Sequence, residues 1–222
     1  MNKLRIIIVF GAICNYVSAQ QPFRCGDTLT DVRDGKKYPT VLIGTQCWIS
    51  RNINAGTQVQ YTNQADNNLI EKTCYQNKKE NCDTLGGLYT WGEARQYSKD
   101  TAGKVQGVCP LNWHIATVQE WKAVYNTAGN VLKLKAGKTN IPKWDGTNET
   151  GFTAVPAGLA YHDVFGRKGD WAIFWTATPA NPDYAWSIEM DNDYISFGTK
   201  TGMVITNTYL TLNAFSVRCI KD

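Results

Sequence analysis

This chain lacks the sequence features that mark the common catalytic and metal-binding sites. It has only two histidines, His114 and His162, and no G-x-S-x-G segment that would hold a serine in a nucleophile elbow. Its seven cysteines include no C-x-x-C pair, the spacing typical of zinc sites. We expect His114 to be a hydrogen-bonded structural residue and His162 to be exposed, and no pair of acids can be singled out for glycoside hydrolysis. The sequence therefore predicts a protein that is not an enzyme and carries no cofactor, with calcium considered separately below.

Excess charge and long apolar runs are also scarce. Charged residues make up 19% of the chain and the formal net charge is +4, which is too small and too evenly spread to indicate a nucleic-acid partner. After residue 19 no segment approaches the roughly 18–20 apolar residues that a transmembrane helix needs. No linker, charge run or fixed-period repeat divides the chain. We therefore expect a single domain over residues 20–222, without a transmembrane segment.

Residues 1–19 have the pattern of a secretory signal peptide. Lys3 and Arg5 precede an apolar run, and Ala19 ends a small-residue cleavage site. The pattern predicts export, to the periplasm, the cell surface or the medium. Cleavage would remove Cys14 and leave an even number of cysteines in an oxidising compartment, which predicts three disulfides. Spacing alone leaves the pairing open among Cys25, Cys47, Cys74, Cys82, Cys109 and Cys219.

Strand signals lie at the start of the mature chain and again in its last third. The β-branched run 38–44 and residues 47–49 are expected to form a hairpin around a tight turn. Residues 55–68 are rich in Asn and Gln and predict an exposed loop. From residue 151 onward, short β-branched and aromatic runs are separated by Gly, Pro and Asn, which is typical of strands and turns.

Two helices are expected between these regions. The first is predicted over residues 88–95. The second begins at a capping box formed by Thr117 and Glu120, and Gly129 is well placed to end it. Together the patterns predict an α+β fold, in which two helices pack on small twisted antiparallel sheets within a loop-rich domain.

Six sequence blocks resemble, in order, the Fibrobacter succinogenes major paralogous domain. They span nearly the whole chain after residue 37, and six blocks in family order are far more specific than any one of them. The blocks are YPTVLIGTQCW (38–48), CDTLGGLYTW (82–91), CPLNWHIATVQEW (109–121), GFTAVPAG (151–158), FWTAT (174–178) and SVRCIKD (216–222).

This resemblance implies a bacterial surface-associated domain of no established activity. It also implies a distant similarity to the C-type lectin-like fold and to formylglycine-generating enzymes, although the reactive cysteine pair of those enzymes is not supported here. Three disulfides follow from the resemblance: Cys25–Cys47, Cys74–Cys82 and Cys109–Cys219.

Three aromatic residues are the candidate ligand-binding residues. Trp144, Tyr161 and Trp171 lie in loop-like surroundings, beside Asp and Gly residues. An exposed aromatic ring next to polar side chains offers a flat apolar face with hydrogen-bonding groups at its edge, as a sugar or peptide requires. Packing as half-buried loop anchors is the alternative for the same residues.

Calcium is a weaker possibility. Glu189, Asp191 and Asp193 would lie on one face of an extended strand and could supply the oxygen ligands that Ca²⁺ prefers. The sugar-binding motifs of C-type lectins are missing, however, and a solvated turn explains the acids equally well. We favour the turn.

These observations favour an exported binding module that recognises a glycan or a surface protein. A structural or assembly subunit of a surface complex is the first alternative. A polysaccharide-acting enzyme is the second and is less favoured, because no catalytic constellation is recognisable. Fold resemblance by itself does not decide among the three.

Overall fold

Short strands dominate this chain, and few helices accompany them. The computed structural model describes residues 22–101, 104–137, 144–191 and 203–222, so the predicted signal peptide lies outside the described residues. The strands are β1 (Thr28–Thr30), β2 (Lys37–Ile43), β3 (Gln46–Ile49), β4 (Thr57–Gln58), β5 (Glu71–Lys72), β6 (Tyr89–Thr90), β7 (Trp113–Ile115), β8 (Leu159–Tyr161), β9 (Val164–Gly166), β10 (Ala172–Pro179), β11 (Tyr184–Met190), β12 (Met203–Leu210), β13 (Ala214–Phe215) and β14 (Cys219–Lys221). The α-helices are α1 (Lys79–Leu85), α2 (Trp91–Ala94) and α3 (Val118–Ala128).

The strands form several small sheets, and almost all of their pairings are antiparallel. The largest sheet has the order β1-β2-β3-β14-β7, so the last strand pairs with two strands from much earlier in the chain. Two further sheets have the orders β6-β13-β8-β9 and β10-β11-β12, and β4 and β5 form a short parallel pair. The α+β content expected from the sequence is confirmed.

The hydrophobic core lies on both faces of two strands. In β3, Ile49 packs in one buried cluster while Trp48 packs in another. In β10, Trp175 and Phe174 divide between the same two clusters. Successive side chains of a strand point to opposite faces, so both strands are covered on each side. Aromatic rings fill much of the second cluster, where Trp121 lies 5.0 Å from Trp48 between ring centroids.

The hairpin predicted at the start of the mature chain is confirmed. β2 and β3 pair antiparallel, with Val41 opposite Trp48. Gly44 takes up a left-handed conformation in the turn, at a φ of 61°, which glycine adopts at little cost. The predicted loop over 55–68 contains β4 and one turn of 3₁₀-helix, and Tyr61 in that turn is buried.

The second predicted helix is confirmed as α3. Thr117 accepts a hydrogen bond from the N–H of Glu120, whose side chain in turn accepts from the N–H of Thr117. Gly129 ends the helix in the left-handed region, with a φ of 69°. Trp121 and Val124 are buried on one face, so the capping box and the apolar stripe together define the helix.

The helix predicted over 88–95 is wrong in its first half. The segment begins as β6, which pairs with β13, and only the single turn of α2 follows. Thr90 caps this turn by accepting a hydrogen bond from the N–H of Glu93. Gln96 and Tyr97 then have positive φ values of 49° and 53°, a left-handed conformation that ends the helix.

The sequence does not predict α1, because its residues show no apolar stripe. The helix is anchored instead by Cys82, which is buried and bonded to Cys74. Three disulfides join the six cysteines in the described part of the chain, with Cα–Cα separations of 5.0–5.9 Å, and they are the pairs that the family resemblance implies. These pairs are Cys25–Cys47, Cys74–Cys82 and Cys109–Cys219.

Candidate ligand-binding site

Trp144 is not the exposed loop residue that the sequence suggests. Its side chain is buried in the second core cluster, and its indole N–H donates to the carbonyl of Ala154 over 3.0 Å. The ammonium of Lys135 lies 4.2 Å from the ring centroid. The loop folds back on the core because the indole finds both an apolar cavity and a hydrogen-bond acceptor there.

Tyr161 and Trp171 are half-buried. Tyr161 ends β8, and its ring centroid lies 4.2 Å from that of His162, which is exposed as expected. Trp171 packs against the first core cluster, and the guanidinium of Arg167 covers its ring at 4.5 Å. Because Trp144 is buried, the three aromatic residues do not form one exposed face.

The acids proposed for calcium lie in different environments. Glu189 lies in β11 and is only 7% exposed, so it is not part of a solvated turn. The Lys135 ammonium lies 2.6 Å from the Asp145 carboxylate and donates to the backbone carbonyl of Asp191 over 3.1 Å. Asp193 lies outside the described residues. Among the residues described, no group of three or more His, Cys, Asp or Glu side chains is arranged to hold a metal.

His114 has the structural role expected from the sequence. It is buried between two carboxylates, with Nδ1 2.6 Å from Asp222 and Nε2 2.8 Å from Glu120. Burial acts to raise the pKa of Glu120, but hydrogen bonds from His114 and Thr117 outweigh it and hold this pKa below its ordinary value. The imidazole therefore fastens the beginning of α3 to the end of the chain.

A candidate ligand site is a pocket of about 500 Å³ beside α2, which we call the Tyr97 pocket. The segment after α2 forms one side and the turn between β10 and β11 forms the other. Its apolar wall consists of Trp91, Tyr97, Pro179 and Pro182. Polar groups from several loops complete the lining, among them Asp66, Ser98, Lys99, Thr101 and Asn181.

A close backbone approach sets the position of the Tyr97 ring. The N–H of Tyr97 donates to the carbonyl of Gly92 over 2.8 Å, which turns the ring back over α2. A Cβ at Gly92 would lie 2.9 Å from Cε1 of that ring, so any larger residue there would displace it. Gln96 and Tyr97 are both left-handed, a conformation that costs about 1–3 kcal/mol per non-glycine residue. The wall of the pocket is therefore held in a strained conformation.

Hydrogen bonds of a buried carboxylate stabilise this strained segment. Glu93 is fully buried, and one of its carboxylate oxygens accepts from the N–H of Glu71 over 2.8 Å and from the side chain of Gln96 over 2.6 Å. Burial raises the pKa of Glu93. Burial and the nearby charge of Glu93 raise the pKa of Tyr97, so its hydroxyl stays protonated and interacts with that carboxylate.

Trp91 contributes a fixed aromatic surface. Its indole N–H donates to the carbonyl of Thr176 over 2.9 Å. The guanidinium of Arg95 lies 4.4 Å from the ring centroid, within the range of a cation–π contact. Asn181 is also held in place, because its side-chain oxygen accepts from two backbone N–H groups of its own turn. The aromatic wall and one polar group at the rim are therefore set before any ligand arrives.

Sequence patterns do not locate this pocket. They place Trp91 within a longer helix and do not single out Tyr97. Neither Gln nor Tyr signals a left-handed backbone. The turn that faces them is about eighty positions further along the chain, as Asn181 shows.

Together these features define a disulfide-linked α+β domain with a preformed aromatic pocket at one end of a three-stranded sheet. The chain belongs to the Fibrobacter succinogenes major domain family, whose model matches residues 41–221, which confirms the resemblance of the six blocks. No curated protein and no solved structure matches the chain. The outer limits of the single domain, at 20 and 222, stay a prediction.

Proposed function

We propose that this protein is an exported, non-enzymatic binding module that recognises a glycan in the Tyr97 pocket. One observation carries the proposal: flat apolar rings line a cavity whose lining also includes hydroxyl, amide and charged side chains. Sugars present an apolar face of C–H groups and an edge of hydroxyls, and such a pocket complements both.

The arrangement of the pocket favours binding over hydrolysis. Glu93 is fully buried beneath the aromatic wall, and its hydrogen bonds to Gln96 and to the backbone of Glu71 hold the wall in place. A preformed wall lowers the conformational entropy lost on binding. Strain at Gln96 and Tyr97 is of the kind that clusters at ligand sites.

The disulfides support two parts of this proposal, namely the export of the protein and its C-type lectin-like fold. Three disulfides indicate an oxidising compartment outside the cytosol, and the signal-peptide pattern of residues 1–19 accounts for transport there. Cys109–Cys219 joins the approach to α3 to the last strand, and β14 pairs with β3. Both features support a C-type lectin-like arrangement. Among the described residues, no helix is long and apolar enough to cross a membrane.

A glycan array tests this proposal. The purified, oxidised protein is compared with Tyr97→Ala, and Tyr161→Ala is the matched control because it removes a half-buried tyrosine outside the pocket. We expect selective glycan binding that Tyr97→Ala abolishes, that Tyr161→Ala retains, and that a calcium chelator leaves unchanged. Loss of binding in the control alone, or an array without signal, would contradict a glycan site in the Tyr97 pocket.

A further inference from the structure

A second cavity contains a buried positive charge that no carboxylate balances. Arg218 is fully buried, and its guanidinium donates to the side-chain oxygen of Asn52 over 2.7 Å. Its other hydrogen-bond partners are the backbone carbonyls of Ile49, Phe152 and Thr153, at 2.8–3.1 Å. None of the acids described forms an ion pair with it. All of its hydrogen-bond partners are therefore neutral groups.

Aromatic faces add to that support without neutralising the charge. The guanidinium lies 4.5 Å from the ring centroid of Phe152 and 5.5 Å from that of Phe174. Burial lowers the pKa of Arg218 to about 9, and the charge of Arg51 acts in the same direction. Arg218 is thus cationic at neutral pH, in surroundings that would favour a nearby anion.

This arginine lines a cleft of about 440 Å³, which we call the Arg218 cleft. Lys36, Lys37 and Arg51 add three further cations to its lining. Lys36 lies 2.6 Å from Asp34 and is balanced by it. No described carboxylate forms an ion pair with Lys37 or Arg51.

The negative charge in the lining does not cancel this excess. Asp83 is the acid that lines the cleft, and it already lies 2.6 Å from Lys79 outside it. Low-dielectric walls and charges of one sign focus an electrostatic field into a cleft and raise the local concentration of the opposite ion. The cleft therefore attracts small anions.

A hydrogen-bond acceptor in the same cleft is left unused. The side-chain oxygen of Asn54 is buried and has no hydrogen-bond partner among the residues described. The backbone of Asn54 is held on both sides, since its N–H donates to the Tyr38 hydroxyl and its carbonyl accepts from the Lys72 ammonium. A buried acceptor costs free energy until a donor reaches it, so a ligand hydroxyl would suit this position.

We propose that the Arg218 cleft binds a small hydroxy acid, namely a uronic acid unit of an acidic polysaccharide. Its carboxylate meets Arg51 and Lys37 above the buried charge of Arg218, and one of its hydroxyls donates to Asn54. The Arg218 cleft shares no lining residue with the Tyr97 pocket. The proposal for this cleft therefore does not depend on the function proposed above.

Isothermal titration calorimetry of the oxidised protein tests the site with three probes. Galacturonate carries both groups, galactose is its neutral counterpart, and inorganic sulfate is an anion without a hydroxyl group. We expect galacturonate to bind more tightly than galactose, which lacks the carboxylate, and more tightly than sulfate, which lacks the hydroxyl group. Rising salt should weaken galacturonate binding, because the contact is partly exposed to solvent.

Single alanine substitutions test whether galacturonate binds in the Arg218 cleft. Arg51 is exposed, so Arg51→Ala should fold normally and weaken galacturonate binding about tenfold or more, as expected for a charge-assisted hydrogen bond. Lys122→Ala, which removes an equal charge from the exposed face of α3, should leave the affinity unchanged. Equal binding of galactose, sulfate binding as tightly as galacturonate, or unchanged affinity in Arg51→Ala would overturn the proposal.

Discussion

Three buried basic side chains have three different kinds of partner. Lys135 lies 2.6 Å from the carboxylate of Asp145. His114 lies between two carboxylates, those of Glu120 and Asp222. Arg218 has only carbonyls, one amide and ring faces around it. Desolvating a charge is costly unless an opposite charge repays it, so Arg218 is the one of the three that an added anion would stabilise most.

The contact between His114 and Glu120 makes part of the folding stability depend on pH. The pKa of Glu120 is lowered in the folded state, so this contribution is present above the unfolded pKa of about 4.3 and is lost as the pH falls through the lower folded value. Glu120→Gln keeps an acceptor for the capping box but removes the charge. We expect it to reduce the free energy of unfolding by about 1.5–3 kcal/mol at pH 6.

Urea denaturation of both proteins from pH 6 to pH 3 checks this expectation. The difference between Glu120→Gln and the wild type should shrink as the pH falls through the lowered folded pKa of Glu120, because protonation then removes the charge from the wild type as well. A difference that is independent of pH would show that the loss comes from packing or geometry and not from the charge.

At residue scale, the sequence reveals the type of side chain but not its partner. Trp144 and Asp145 are adjacent in a segment whose sequence predicts an exposed loop. The Trp144 ring is nevertheless buried, and the Asp145 carboxylate pairs with Lys135, ten positions earlier. No periodic pattern signals such a contact, because it depends on how the loop crosses the core. Local rules succeed at Thr117 and Gly129, where the hydrogen-bond partners lie within a few residues.

At the scale of elements, the beginning of α3 offers a direct measure of the capping box. Thr117→Ala removes the acceptor for the N–H of Glu120, and we expect a loss of about 1 kcal/mol of unfolding free energy. Thr127→Ala is the matched control, since Thr127 is exposed within the same helix and its hydroxyl bonds only to the carbonyl of Ala123.

Urea denaturation monitored by tryptophan fluorescence distinguishes these two variants. The midpoint should fall for Thr117→Ala with an unchanged slope, while Thr127→Ala should stay within about 0.5 kcal/mol of the wild type. Equal effects in the two variants would mean that the cap does not contribute to the stability of α3.

The two other helices show why element prediction fails here. The segment over 88–95 has helical spacing, but its first residues pair with β13 instead, a partner more than one hundred positions away. α1 has no apolar stripe, and the disulfide of Cys82 anchors it to Cys74. In both cases a distant contact decides the local conformation, which propensity alone cannot anticipate.

For the whole molecule, the α+β class, the family and the disulfide pairs are accessible from the sequence. They follow from conspicuous residue types and from six blocks in a fixed order. The two cavities are not accessible in this way. Pro182 and Tyr97 line the Tyr97 pocket, and Asn54 and Arg218 line the other cleft, although each pair is widely separated along the chain. Such sites exist only once the sheets have assembled.

Hydrogen–deuterium exchange with mass spectrometry tests the Tyr97 pocket most directly, using the glycan that gives the strongest array signal. Bound glycan should slow exchange in residues 91–101 and 180–184, which form the two sides of the pocket. Residues 159–171, which carry Tyr161 and Trp171, should exchange at an unchanged rate. Protection of residues 159–171 instead, or no protection on either side of the pocket, would contradict glycan recognition at Tyr97.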